Sequence, residues 1–99
     1  MEIVPKNKAF LRGLGAKIKP SLNLGKSDID DSFVRAFDCA LEAHELVKIR
    51  VLQNNEEDFE KIITILQEKN QCGLVAITGN TILFYRPNYK KNPHIILPK

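Results

Sequence analysis

Residues 44–51 read His44-Glu45-Leu46-Val47-Lys48-Ile49-Arg50-Val51, and this stretch decides the fold. Its apolar residues at positions 47, 49 and 51 alternate with Lys48 and Arg50, which predicts a half-buried strand. Strongly amphipathic runs precede and follow the strand, so we expect helices to cover its apolar face. The other face can then present Lys48 and Arg50 to an anionic partner.

Two helices and a short strand are predicted upstream of this stretch. Residues 29–44 repeat apolar side chains at helical spacing and predict a long helix. Residues 21–24 alternate like a short strand. The first helix is expected to open at Pro5 and to end before Pro20, because proline suits the first helical turn and cannot continue a helix. Its buried stripe is predicted to consist of Phe10, Leu14 and Ile18.

A third helix and a hairpin are predicted downstream. Asn54, with Glu57 three residues later, resembles a capping box that opens an amphipathic helix. The helix gives way to an apolar strand over residues 74–78. Gly79-Asn80 is a two-residue hairpin signal, and residues 81–86 are predicted to return antiparallel to that strand.

The predicted order of elements is α-β-α-β-α-β-β, an α/β (α+β two-layer) arrangement with a mixed four-stranded sheet. The chain has 99 residues and is 43% hydrophobic, so we assign residues 1–99 to a single domain. The apolar tail, residues 93–98, is expected to pack on the domain or on a partner. No apolar run is long enough for a membrane span or a secretory signal, which predicts a cytoplasmic protein with no membrane partner.

The net charge of +3 hides a segregation along the chain. Residues 1–27 carry a net charge of +5, residues 28–60 a net charge of −7, and residues 61–99 a net charge of +5. If the fold brings the two basic ends together, they form one positive surface suited to phosphates. We therefore expect anion contacts from Lys8, Arg12, Lys17, Lys19, Lys48, Arg50 and Arg86.

The loop Gly25-Lys26-Ser27-Asp28 joins the short strand to the following helix. Glycine allows close approach of backbone to a ligand, lysine adds charge, and N–H groups at a helix start favour phosphate. An ordinary strand-to-helix turn capped by Asp28 has the same pattern, so the loop alone is a weak signal.

No catalytic or metal-binding set accompanies these features. Cys39 and Cys72 are far apart and lack metal-ligand spacing, so we expect two buried thiols. His44 has no neighbouring nucleophile or second ligand, and we expect it to be a packed or hydrogen-bonded junction residue. The sequence therefore predicts neither an enzyme nor a bound cofactor or metal.

Six short stretches occur in a characteristic order and spacing. They are residues 11–14 (LRGL), 18–20 (IKP), 24–26 (LGK), 40–50 (ALEAHELVKIR), 79–81 (GNT) and 83–87 (LFYRP). In this order they resemble the YhbY-like proteins, the free-standing bacterial form of the CRM (chloroplast RNA splicing and ribosome maturation) domain. The resemblance covers the whole chain, and the long central stretch together with the late YRP is its specific part.

This resemblance implies a fold like the C-terminal domain of translation initiation factor three, no enzymatic activity, and RNA binding. It also implies association with precursors of the large ribosomal subunit, hence ribosomal RNA and ribosomal proteins as partners of a monomer. Residue by residue, it extends RNA contact to Gly25, Lys26 and Ser27. The family's loop reads Gly-x-x-Gly, and Asp28 replaces its second glycine here, which places a negative charge where a phosphate is expected.

Two other functional classes remain open. An Alba-type DNA-binding chromatin protein has a related fold and a basic surface, and a preference for duplex DNA over structured RNA would indicate it. A protein-interaction module would bind a ribosomal protein without RNA affinity or salt sensitivity. A small α/β enzyme such as an acyl phosphate hydrolase would need an activated water or nucleophile, and the sequence offers no such set.

Overall fold

The computed structural model describes residues 2–25, 29–52, 58–90 and 95–97. Its helices and strands are α1 (Pro5–Gly15), β1 (Leu22–Leu24), α2 (Asp31–His44), β2 (Leu46–Val51), α3 (Phe59–Asn70), β3 (Gly73–Thr78) and β4 (Thr81–Tyr85). This order confirms the predicted one. None of the helices in these ranges is long and apolar enough to cross a membrane.

The strand order in the sheet is β1-β2-β4-β3. β1 runs parallel to β2, and β4 runs antiparallel to both β2 and β3, which confirms the predicted mixed sheet. β4 thus lies between β2 and β3, and a tight turn joins it to β3. Gly79 in that turn has a φ of 58°, a left-handed conformation that glycine adopts without steric cost.

The central strand β2 separates two apolar clusters. On one face, Ile49 packs with Phe37 of α2 and Ile62 of α3. On the other face, Leu46 packs in a smaller cluster with Leu11 of α1. Helices therefore cover the apolar face of β2 as predicted, but the face expected to be free for ligands is partly covered by α1.

The apolar stripe predicted for α1 is wrong. The helix buries Leu11 and Gly15, whereas Phe10 and Leu14 are each 39% exposed. A Cβ added to Gly15 would collide with the side chain of Leu83 in β4. The backbone of α1 itself therefore contacts the sheet at Gly15. A hydropathy pattern cannot register such a contact, because the residue that makes it has no side chain.

The N-terminal caps of α2 and α3 are residues closer to the helix starts than those predicted from the sequence. An Asp30 carboxylate oxygen accepts a first-turn backbone N–H of α2 at 2.8 Å. Asp58 does the same for α3 at 3.2 Å. The caps predicted at Asp28, and at Asn54 with Glu57, fall outside the described residues. Several acids precede each helix, and the sequence pattern could not decide which of them is the cap.

Two side chains predicted to be packed are exposed instead. Cys39 is exposed, because it lies two positions from the buried Phe37 and so on the opposite side of α2. His44 is exposed at the end of the same helix. Cys72 is buried as predicted, and burial raises the pKa of its thiol to about 11.

Glu45, between α2 and β2, is the residue whose role the sequence conceals most. It is only 1% exposed and adopts a left-handed φ of 63°. Its carboxylate accepts the backbone N–H of Asn88 at 2.9 Å and that of Ile95 at 2.8 Å. Ile95 and Leu97 then pack against the smaller cluster, so the predicted packing of the tail is confirmed for these two residues.

Candidate nucleic-acid interface

The face of the sheet that carries α1 changes from apolar to polar along the strands. Its successive β2–β4 pairs are Leu46 with Tyr85, Lys48 with Leu83, and Arg50 with Thr81. The last row continues into Asn23 of β1 and Thr78 of β3. Of these four residues only Thr81 is partly buried, and the other three are exposed. We name this row, Asn23, Arg50, Thr78 and Thr81, the polar end of the sheet.

A cavity of about 260 Å³ lies beside the polar end, between α1 and the sheet. Arg12 borders it from α1, and Lys48 borders it from β2. The fold thus brings together two predicted anion-binding cations that are distant in sequence. The described residues that line this α1–sheet cavity are Arg12, Gly15, Ala16, Lys48, Ala76, Thr78, Thr81 and Leu83.

The predicted ligand loop begins where β1 ends. The backbone N–H of Leu52 donates to the carbonyl oxygen of Leu24 at 2.9 Å, and Gly25 follows directly. A Cβ at Gly25 would lie 3.9 Å from the nearest side-chain atom, an ordinary van der Waals contact. Among the described glycines only Gly79 has a positive φ. The fold itself therefore does not require glycine at position 25. Lys26, Ser27 and Asp28 lie outside the described residues.

Other predicted cations take different positions around α1. Lys17 and Lys19 are exposed in the segment that connects α1 to β1. At its end, the backbone N–H of Ser21 donates to the carbonyl oxygen of Lys48 at 2.9 Å, which ties this segment to β2. Lys8 instead borders a separate cavity of about 420 Å³ with Gln67 of α3, so the structure does not bring Lys8 to the α1–sheet cavity.

Arg86 has a different environment from the other predicted cations. Its guanidinium donates to a carboxylate oxygen of Asp38 at 2.6 Å, to one of Glu42 at 3.2 Å and to the carbonyl oxygen of Asn70 at 2.9 Å. Its side chain is 17% exposed. These contacts tie β4 to α2 and α3, on the face opposite α1. Arg86 therefore has a structural role that the sequence did not reveal.

Among the described residues, the fold clearly shifts the pKa values of Tyr85 and Cys72. Burial, reinforced by the negative charges of Glu45 and Tyr89, raises the pKa of Tyr85 to about 12. Cys72 is shifted in the same direction, so both groups stay protonated at neutral pH. In the described ranges, no three His, Cys, Asp or Glu side chains come together as a metal site.

Comparison with known protein families matches residues 3–86 to the CRS1/YhbY (CRM) domain. The chain belongs to this family. The match spans α1 to β4 and so includes the α1–sheet cavity, Gly25 and Arg86. It confirms the family resemblance identified from the sequence.

Individual proteins similar to this CRM-domain protein have names that agree with the family assignment. The Bacillus subtilis protein named "Probable RNA-binding protein YqeI" is 39% identical, over 94% of this chain and 96% of the relative. A Haemophilus influenzae protein named "RNA-binding protein" is 29% identical over 84% of each chain. The chloroplastic CRM-domain containing factor CFM2 of Arabidopsis thaliana is 30% identical over 93% of this chain, which corresponds to 10% of CFM2. The same domain thus also occurs within much longer proteins.

A solved structure shares the fold. The solution structure of the hypothetical protein SAV1595 from Staphylococcus aureus has a TM-score of 0.80 and is 36% identical, over 97% of this chain and 99% of that one. The fold predicted from the order of elements is confirmed at this level. The likeness to the C-terminal domain of translation initiation factor three stays a prediction.

Proposed function

We propose that this CRM-domain protein binds structured RNA, without catalysing a reaction, through the α1–sheet cavity and the surface around it. The observation that carries the proposal is the convergence of Arg12 and Lys48 on one cavity beside the exposed Arg50. The names of the bacterial relatives support RNA as the ligand. We include Lys17, Lys19 and the Gly25-Lys26-Ser27 loop in this surface, and we leave out Lys8 and Arg86.

The described cations of this surface can act on phosphates because none of them forms an ion pair with a described carboxylate. The ion pairs of Asp38 and Glu42 go to Arg86, on the opposite face. Helix α1 has no acidic residue along its length. Cations that displace counterions from phosphates give affinity that falls with salt, and such contacts position the RNA without reading its sequence.

The test is RNA binding by two triple variants that remove the same charge. One replaces Arg12, Lys48 and Arg50 with Ala; the matched control replaces Arg35, Lys69 and Lys90, which are exposed elsewhere. We expect the first to weaken binding to an RNA hairpin by about 100-fold and to lower the salt slope by about 3. The control should lower the affinity for the hairpin only a few-fold. Equal losses would contradict the proposed surface, and tighter binding to duplex DNA would favour the chromatin-protein alternative.

We further propose that the RNA is ribosomal RNA in precursors of the large ribosomal subunit, in the cytoplasm, with ribosomal proteins as secondary partners. Support comes from the family resemblance and from the small size of the domain, which can act by holding RNA in place. We propose that it does so as a monomer. In a low-salt sucrose gradient, the protein should sediment with immature large subunits, and its deletion should make these particles accumulate. Sedimentation with small subunits or polysomes would contradict the assembly role and leave RNA binding intact.

A further inference from the structure

We propose that the α1–sheet cavity receives one unpaired nucleotide of the RNA, with its base inside and its phosphate on Arg12 and Lys48. This inference rests on the proposed function and deepens it, since it specifies RNA with an extruded base, such as a single-nucleotide bulge. It assigns a base-binding role to residues that are neither cations nor part of the Gly25 loop.

The inner surface of the cavity is suited to the flat face of a base. Ala16 and Ala76 have only a methyl group as side chain, and this leaves space between α1 and the sheet next to the close contact of Gly15 with Leu83. Leu83 adds an apolar surface beside them and is only 5% exposed. A volume of about 260 Å³ lies just below that of pockets for drug-sized ligands, roughly 300 Å³ and above, and suits one smaller planar group.

The rim of the cavity is suited to the edge of a base and to its phosphate. The Thr81 hydroxyl donates to the carbonyl oxygen of Thr78 at 2.7 Å, so its lone pairs remain to accept from a base amino group. Arg12 and Lys48 supply two positive charges, and none of the lining residues that the structure describes is a carboxylate. A neutral apolar ligand would leave these charges without a counterion, whereas a nucleotide brings a phosphate with its base.

An unpaired base is also the part of RNA that can enter such a space. A base within a helix is stacked and has its Watson–Crick edge occupied, whereas a base in a bulge or loop can be splayed out into a protein pocket. Phosphates of a paired helix can reach Arg50 and Lys17 on the surface, but they cannot use the cavity interior. The two kinds of contact therefore predict different RNA preferences.

The first experiment fills the cavity mouth without removing a charge. Ala16, directly after α1, is exposed and lines the cavity, and Ala9 is an exposed alanine within α1 that is outside the lining. The probes are an RNA hairpin with one bulged adenosine and the same hairpin without it. We expect Ala16→Leu to weaken binding to the bulged hairpin by at least about tenfold, as obstruction of a shaped pocket does, with unchanged binding to the paired one. Ala9→Leu should change neither.

Equal affinity of Ala16→Leu and the wild-type protein for the bulged hairpin would overturn the base site while leaving RNA binding intact. If the wild-type protein bound neither hairpin, the proposed function itself would fail. These two failures are therefore distinguishable.

The second experiment uses the wild-type protein, so it does not depend on a variant that folds. Adenosine monophosphate and inorganic phosphate are titrated separately, and the amide resonances of Lys48, Thr78 and Thr81 are followed by NMR. We expect the nucleotide to shift these resonances at millimolar concentration and phosphate alone to shift them much less. Equal shifts by both would make the cavity a phosphate site and overturn the base assignment, as would the absence of shifts with either.

Discussion

The two faces of the sheet use arginine in opposite ways. On the face of α2 and α3, Arg86 donates to two carboxylates and two backbone carbonyls, and its side chain is 17% exposed. On the face of α1, Arg12 and Arg50 are exposed and have no ion pair with any described carboxylate. Residue type alone would assign all three arginines to one anion-binding set. The difference lies in their surroundings, because Arg86 has the carboxylates of Asp38 and Glu42 within hydrogen-bond distance and the other two arginines form no such pair among the described residues.

The same contrast extends to the carboxylates. The acidic middle of the chain supplies α2, where Asp38 and Glu42 bind Arg86, and it supplies the buried Glu45. These carboxylates therefore make internal polar contacts, whereas Arg12 and Arg50 make no ion pair with a described carboxylate. Substitutions of the two groups of residues should therefore change different properties, stability for the first and RNA affinity for the second.

The largest loss of stability is expected from Glu45→Ala. The change leaves the backbone N–H groups of Asn88 and Ile95 without the carboxylate that accepts them. Each unsatisfied buried group costs about 1–3 kcal/mol, so we expect the free energy of unfolding to fall by about 3 kcal/mol. Chemical denaturation monitored by circular dichroism measures this loss.

The matched control for Glu45→Ala is Glu68→Ala, which removes an exposed carboxylate from α3. It should change the stability by no more than about 0.5 kcal/mol. Glu45→Gln keeps one acceptor oxygen and should fall between the two. Equal stability of Glu45→Ala and Glu68→Ala would show that the carboxylate does not hold the tail.

A pair of arginine substitutions tests the comparison directly. Arg86→Ala removes hydrogen bonds to two half-exposed carboxylates and to the Asn70 carbonyl, and should lower stability by about 2 kcal/mol without changing RNA affinity per folded molecule. Arg50→Ala should leave stability within about 0.5 kcal/mol but lower RNA affinity and reduce the salt slope by about 1. Denaturation and salt-dependent binding assays separate the two. Loss of RNA affinity in folded Arg86→Ala would break the comparison.

Much of the fold could be predicted from the sequence because each element carries a local signal. The alternation in residues 46–51, the helical spacing in residues 29–44 and the turn at Gly79-Asn80 each predict an element that the structure contains. The position of β4 between β2 and β3 could not be predicted. It depends on which strand edges pair at long range, and hairpin signals specify only the β3–β4 pair.

The candidate site was predicted less completely. Lys48 and Arg50 were correctly predicted to lie on the face opposite the main core, because the alternation of β2 fixes the face on which each residue lies. The cavity itself could not be predicted, since its lining combines α1 with three strands and depends on the close approach at Gly15. The partners of Arg86 and Glu45 were missed for the same reason. Asp38 is more than forty residues from Arg86 along the chain, and Asn88 and Ile95 are more than forty residues from Glu45. No local sequence pattern connects residues at such distances.

Two glycine substitutions in α1 compare its sheet-facing side with its exposed side, and their effects on stability should be smaller. An alanine Cβ at Gly15 would collide with Leu83, which must move, and overpacking should outweigh the gain in helix propensity to give a net loss of about 1 kcal/mol. Gly13 lies on the exposed side of α1 with no atom within 4 Å of an added Cβ. Gly13→Ala should therefore stabilise the protein by up to about 1 kcal/mol. Thermal unfolding of both variants checks the opposite signs, and a shift in the same direction would mean that α1 does not pack through Gly15.

The smallest change in stability is expected at Gly25. The fold leaves space for a methyl group at this position, whereas a bound RNA backbone would occupy that space. An added Cβ would make only an ordinary contact at 3.9 Å, and alanine restricts the unfolded chain, so Gly25→Ala should keep stability within about 0.5 kcal/mol. An RNA backbone that approaches the loop closely would meet this methyl group, and RNA affinity should fall several-fold at constant salt slope, because no charge is lost. Gly13→Ala adds the same methyl group on the exposed side of α1, outside the cavity lining, and is the matched control that should leave RNA affinity unchanged. Unchanged RNA affinity in Gly25→Ala would remove the loop from the interface and restrict it to α1 and the sheet.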